Sequence, residues 1–189
     1  MKDPGKDKLS DKDIIDLIRA GRENNRYYDI IYSRYFDKVR GKCYSLVKDR
    51  ETANDLAEDI MVKIFENLVS FKATAMFSTW IYSITYNHCI DYLRNKRSSH
   101  YPKWNKEHEM SEIPDNLEDV ENEIDYERLK TVMEELHPEE LALIKMKYLD
   151  DIPLKLMSEA LRITESACKM RLKRARTRLL YLYSKKYLK

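Results

Sequence analysis

Apolar residues recur along this chain at spacings of three and four, the period of helices that bury one face. Ser10 followed by Asp13 is a capping pair that opens a short segment carrying Ile14, Ile15, Leu17 and Ile18, and Gly21 closes it. Phe36, Val39, Cys43 and Leu46 follow at spacings of 3, 4 and 3; beyond the polar break at residues 48–52, Leu56, Ile60, Ile64 and Leu68 repeat every 4. Each set falls on one helix face. Residues 72–76 read as a short loop. Ser78 or Thr79 can then cap a third helix bearing Phe77, Ile81, Ile84, Tyr86, Ile90 and Leu93, which ends in the basic run Arg94, Asn95, Lys96, Arg97.

Between about His100 and Asp125 the periodicity dissolves into Pro102, Pro114 and a run of acids, the composition of a linker. Helical spacing returns with Leu129, Met133 and Leu136, and His137-Pro138 starts a helix with proline at its first position, carrying Leu141, Ile144 and Tyr148. Residues 150–153 break it and residues 154–160 form a short helix. The chain turns through Leu161, Arg162 and Ile163, and Thr164 caps a last helix whose apolar face is Cys168, Leu172, Ala175 and Leu179. Short helix, tight turn and capped basic helix form the helix-turn-helix pattern. The fold class is therefore all-α: two small helical domains, residues 1–100 and 126–189, joined by an acidic linker at residues 101–125, the C-terminal domain a helix-turn-helix.

Composition narrows this further. Only 3 of 189 residues are glycine, leaving little material for hairpins or glycine-rich phosphate loops, whereas 43% hydrophobic content supports a core. The net charge of +2 conceals strong polarity: residues 107–127 hold ten acids and no Lys or Arg, which leaves +12 on the rest of the chain. Residues 162–189 hold ten bases against Glu165 alone. Cys43, Cys89 and Cys168 show no CxxC spacing, which favours reduced, buried thiols over disulfides or zinc. The first residues lack the apolar core of a signal peptide and no apolar run is long enough to span a bilayer, so the chain reads as cytoplasmic.

Three constellations can carry function. In the last helix, Glu165, Ser166, Lys169, Met170, Arg171, Lys173 and Arg174 lie off the apolar stripe, available to reach base edges and phosphates; a solvated basic helix is the plain alternative. Residues 77–97 interleave aromatics with Ser78, Asn87, His88, Arg94, Lys96 and Arg97, a mixture suited to single-stranded nucleic acid, although composition alone favours core aromatics in an amphipathic helix; Trp80 reads as core. Opposite the stripe of the helix at residues 55–67, Asp55, Glu58, Asp59, Val62, Lys63 and Glu66 form an exposed set. His88, His100, His108 and His137 stand in no nucleophile or metal-binding context, so the expectation is no enzyme, no catalytic residue, no metal and no cofactor.

The stretch DRETANDLAEDIMVKIF at residues 49–65, FSTWIYSITYNHCIDYLRNKR at residues 77–97, and LHPEELALIKMKYLDDIPLKLMSEALRITESACKMRLKRAR in the C-terminal half resemble extracytoplasmic-function (ECF) sigma factors of bacterial RNA polymerase. The resemblance spans roughly residues 27–182 in the family's order. It implies a promoter-specificity subunit whose N-terminal domain docks on the core polymerase clamp through Asp55, Glu58, Asp59, Val62 and Lys63. It further implies that Lys72, Ala73, Thr74, Ala75, Met76, Ser78, Asn87, Arg94, Lys96 and Arg97 handle the melted minus-ten strand, the loop holding a flipped-out base. Glu165, Ser166, Lys169, Met170, Arg171, Lys173 and Arg174 would read duplex at the minus-thirty-five element. The implied partners are core polymerase and promoter DNA, duplex and melted; an anti-sigma factor, common in the family, would compete at the clamp-binding face. No small-molecule substrate is implied. Two positions depart from the family: Arg162 stands where the turn glycine is usual and Ser158 where alanine is usual. An arginine at φ > 0 costs on the order of 1 kcal/mol, so the turn is expected to differ in shape.

The alternative from another class is a stand-alone helix-turn-helix regulator that does not bind core polymerase, and a third is a helical adaptor whose basic tail contacts nothing. The acidic linker has two readings also, a nucleic-acid mimic threading the polymerase's RNA exit path or a flexible tether. Reversing four of its acids to lysine is expected to impair initiation in a run-off assay; unchanged initiation identifies a tether.

Overall fold

The structure, a computed structural model, describes residues 9–21, 25–73, 76–97 (Arg97 by its backbone only) and 124–188, all in helices, turns or irregular connections. The linker expectation and its boundaries lie almost wholly outside the described residues, as do Thr74 and Ala75. The helices are α1 Asp11–Arg19, α2 Asn25–Val47, α3 Arg50–Asn67, α4 Phe77–Arg97, α5 Tyr126–Met133, α6 Pro138–Ile144, α7 Leu154–Leu161 and α8 Glu165–Tyr187. A 3-10 turn, Leu68–Ser70, follows α3, and a π turn, Lys145–Leu149, follows α6. The chain divides into two compact units, Met1–Cys89 and Ile90–Lys189.

In the first unit, Ser10 and Asp13 form the expected capping box on α1, and Ile14, Ile15 and Ile18 are buried. Asp11 anchors α1 to α2 by accepting from Arg34 Nη1 at 2.8 Å and from the Tyr35 hydroxyl. The buried stripe of α2 is Ile31, Tyr35, Val39, Cys43 and Leu46, so Tyr35 takes the core position expected of Phe36. Phe36 instead stacks on Tyr32, ring centroids 4.8 Å apart, on the half-buried flank. Between α2 and α3 the connection is only two residues. Lys48 adopts φ 58, and Asp49 caps α3 by accepting from Thr52 N–H at 2.8 Å, an arrangement that reverses the chain at once. On α3, Leu56, Ile60, Ile64 and the following Leu68 are buried as their spacing requires, with Ala53 and Ala57 beside them.

Helix α4 begins at Phe77, so Ser78 and Thr79 lie inside its first turn and neither is the N-cap. The start of the helix is fixed by an aromatic cluster. Phe77 meets Tyr35 (5.5 Å), Phe71 (5.3 Å) and Trp80 (5.6 Å), contacts that contribute about 0.5–1.5 kcal/mol each beyond their burial. Trp80 is half-buried at the edge of this cluster, and so is Ile84, while Ile81, Thr85, Tyr86, Cys89 and Ile90 supply the buried face. The three cysteines are all buried free thiols. The Cys89 thiol is pushed far above its ordinary range by a hydrogen bond with Cys43 and by burial, so the two side chains meet across α2 and α4.

In the second unit α5, α6 and α7 all pack against α8. Val132 and Leu136 are the buried positions near α5, with Leu129 and Met133 half-buried. His137 and Glu140 form a capping box at the start of α6, with Pro138 at its first position. Tyr148 is not core: the π turn shifts the register after Ile144, placing Met146 in the interior and leaving Tyr148 56% exposed. Thr164 caps α8 by accepting from Ala167 N–H at 3.2 Å. In the preceding turn Arg162 adopts φ 54, ψ 45, with its N–H on Glu159 O (3.2 Å) and the Ile163 N–H on Ser158 O (3.0 Å). This is the left-handed helix stop that glycine normally makes, so the turn keeps its shape and arginine bears the strain.

Arg162→Gly is therefore expected to raise Tm by roughly 4 °C, the equivalent of about 1 kcal/mol. The exposed Arg162–Asp91 ion pair at 3.5 Å offsets little of this. An unchanged or lowered Tm in a thermal melt shows that the arginine side chain contributes more than its backbone costs.

Candidate nucleic-acid and protein interfaces

On α3 the five residues Asp55, Glu58, Asp59, Val62 and Lys63 follow the helical repeat and all are exposed, opposite Leu56, Ile60 and Ile64. Val62 is 56% exposed on the same face, one turn beyond Glu58 and Asp59. An acidic face repels nucleic acid, and an uncovered valine on it suits a protein partner. Two residues from the flanking helices contact this face. The Tyr32 hydroxyl of α2 donates to Glu58 Oε1 at 3.0 Å, and His88 of α4 lies with Nδ1 2.7 Å from Lys63 Nζ and Nε2 3.8 Å from Asp59 Oδ2. The Tyr32 hydroxyl titrates above its ordinary value, through burial first and then Glu58. Sequence spacing could not find either residue, because each meets α3 across a helix–helix contact.

The set assigned to a melted strand is only partly brought together. Lys72, Ala73 and Met76 are exposed on the loop, Ala73 at φ 54 and Met76 with 75% of its surface open. Thr74, Ala75 and the Arg97 side chain lie outside the described residues. Along α4, Asn87 and Arg94 are two turns apart on one face, whereas Ser78 and Lys96 fall on the opposite side of the helix. Ser78, Asn87 and Arg94 are half-buried and Lys96 is exposed, its ammonium 5.6 Å from the Tyr92 ring.

On α8, Glu165, Ser166, Lys169, Met170, Lys173 and Arg174 occupy one continuous arc away from the buried Cys168, Ala175 and Leu179. Arg171 stands at the flank of that arc, half-buried. Within the second unit it lies 3.8 Å from Glu139 Oε2, while Arg94 Nε donates to Glu139 Oε1 at 2.8 Å. Burial pushes the Glu139 carboxyl up. The hydrogen bond and charge of Arg94, with His137 and Arg171, outweigh it and hold the group below its ordinary 4.5. Among the described residues no three His, Cys, Asp or Glu side chains gather as metal ligands, and no helix is long and apolar enough to cross a membrane.

Comparison with known proteins places both halves. Residues 31–99 match sigma-70 region 2, and residues 126–179 match sigma-70 region 4. The chain is 26% identical to ECF RNA polymerase sigma factor SigW of Bacillus subtilis over 87% of its own length and 92% of that protein's. It is 25% identical to ECF RNA polymerase sigma-E factor of Haemophilus influenzae over 90% and 93% respectively. In fold it is similar to CnrH, solved in complex with the cytosolic domain of CnrY. That match has a TM-score of 0.59 and 17% identity, and covers 93% of this chain and 98% of that one. The sigma factor RpoE of Bartonella quintana, solved with the anti-sigma factor NepR, gives a TM-score of 0.54 and 17% identity, and the match covers 82% of this chain and 95% of that one.

The depressed carboxyl of Glu139 has a pH signature. A group titrating lower in the folded state contributes stability above its unfolded value, here 4.5, and loses it as pH falls through the lower folded value. Glu139→Gln is expected to lower Tm at pH 7 by roughly 2–4 °C, and this deficit is expected to shrink progressively as pH falls below 4.5. A deficit of constant size across the acid range marks a packing defect instead.

Proposed function

Because this chain belongs to the extracytoplasmic-function group of the sigma-70 factors, we propose that its three residue sets divide promoter recognition among them. The acidic face of α3, Asp55, Glu58, Asp59, Val62 and Lys63, docks on the core polymerase clamp. The loop from Lys72 to Met76 and the polar residues of α4 take the melted minus-ten strand. The arc on α8 from Glu165 to Arg174, with Arg171 at its flank, reads the minus-thirty-five duplex. In the domain terms of the sequence, residues 1–100 form the polymerase and strand-handling domain, 101–125 the linker and 126–189 the duplex-gripping domain.

The observation that carries this reading is the α3 face. The chain as a whole reads as nucleic-acid binding, and an acidic face with an exposed valine is ill suited to DNA; it supports a second, protein partner, for which a regulator acting on DNA alone has no use. The mechanism is one of binding. Cations at the α8 arc meet phosphates and give a salt-dependent affinity, and the side chains near the helix start meet base edges. Glu165, the acid at that start, is placed to accept from a cytosine amino group. Extruding a base costs a few kcal/mol, and a loop that captures it returns that energy, holding the strands apart without nucleotide hydrolysis. No bond is made or broken by this chain, so it is not an enzyme in this reading, and it works in the cytoplasm beside the polymerase. CnrH and RpoE of Bartonella quintana were solved with protein partners, and a comparable anti-sigma protein would mask the same α3 face.

Alanine at Asp55, Glu58 and Asp59 together is expected to abolish binding to bacterial core polymerase and the new transcript starts the parent protein directs on fragmented genomic DNA. Tm and binding to a minus-thirty-five duplex should be retained. Retained polymerase binding and transcription by the triple variant overturn the docking assignment.

A further inference from the structure

His88 belongs to none of the docking, strand or duplex sets of the proposed function, yet it contacts the docking face. It lies on α4, with 17% of its side chain exposed, and its ring reaches α3 between two members of the acidic face. Lys63 Nζ is 2.7 Å from Nδ1. An ammonium only donates, so Nδ1 must accept, which fixes the ring as the neutral tautomer carrying its proton on Nε2. That Nε2–H faces Asp59 Oδ2 at 3.8 Å, beyond hydrogen-bond length but close enough for the carboxylate charge to favour this tautomer. Asp59 and Lys63 are one helical turn apart on α3, and His88 spans them from the neighbouring helix.

The consequence concerns order on an open surface. A lysine side chain there samples many rotamers, and freezing it at the moment of docking weakens association. The imidazole holds the Lys63 ammonium in one place beforehand.

We infer that His88 is a positioning residue for the docking face, holding the Lys63 ammonium at its Nδ1 so that the partner meets a preordered cation. This rests on the reading of the α3 face as the polymerase-docking surface. Because His88 directly follows Asn87 on α4, it also ties that surface to the helix assigned to the melted strand.

The test uses the full chain and bacterial core polymerase. His88→Leu is expected to weaken binding by about five- to tenfold, mainly through faster dissociation. His88→Asn, whose side-chain oxygen can take the place of Nδ1, is expected to recover most of that loss, and Lys63→Met to match His88→Leu. In the Lys63→Met background the His88→Leu substitution should cost nothing further, a coupling that a merely structural histidine would not show. Tm and minus-thirty-five duplex binding serve as fold controls. Wild-type affinity in His88→Leu, or an equal additional loss in the Lys63→Met background, overturns the positioning role. Asp55→Ala and Glu58→Ala, measured alongside, separate the two ideas: if they leave binding intact the docking assignment itself fails, and if they weaken it while His88→Leu does not, only the role of His88 fails.

Discussion

Val39 and Cys43 on α2 and Ala57, Ile60 and Ile64 on α3 are wholly withdrawn from water, and the two helices that carry them pack against each other. Each full-sized aliphatic side chain so buried contributes roughly 1.5–3 kcal/mol. The geometry of the outer surface follows from this packing. Turning α3 by a single residue would carry carboxylates inward, where an unpaired charge costs several kcal/mol, and would expose the isoleucines. The helix therefore has one rotational setting, and that setting presents Asp55, Glu58, Asp59, Val62 and Lys63 together. The left-handed Lys48 and the Asp49 cap make the setting local as well, because α3 starts two residues after α2 ends.

Much of this was legible in the chain because period and cap are local signals. The stripes of α1 and α3, the restart at Pro138, the Thr164 cap and the helix-turn-helix all follow from residues within a turn or two of each other. What spacing could not supply is the choice between neighbouring aromatic positions. Tyr35 and Phe36 both fit an apolar stripe, and the interior took Tyr35 because its hydroxyl has a partner in Asp11, which a phenylalanine could not use. Ser78 and Thr79 resemble caps, but the Phe71–Phe77–Trp80 cluster starts α4 earlier. Tyr148 was displaced by a π turn that no propensity foretells. The interface sets show the same divide: the α3 face and the α8 arc are continuous on one helix each. Ser78 and Lys96 stand across α4 from Asn87 and Arg94, because a list of polar residues carries no angle. Tyr32 and His88 escaped for a related reason, their roles being set by contacts between helices.

The two units also differ in where their charge is held. On α3 the carboxylates stay at the surface, met by a tyrosine hydroxyl and an imidazole. In the second unit Glu140 is buried at 4% exposure, accepting from the His137 N–H at 3.2 Å with Arg178 Nε 3.7 Å away, while Glu139 draws in Arg94 and Arg171. Adjacent glutamates at the start of α6 thus bind the helix cap and the basic side chains around it, which orders part of the arginine complement before any phosphate arrives.

The buried thiols carry one more consequence. Cys43 and Cys89 lie in the first unit and Cys168 in the second, each with no surface open to solvent. An alkylating reagent can reach them only during transient openings, and the populations of those openings are set by local free energy. The chain is thus supplied with internal clocks, two in one unit and one in the other. The relative labelling rates of its cysteines report how firmly each unit stays shut, without introducing a probe.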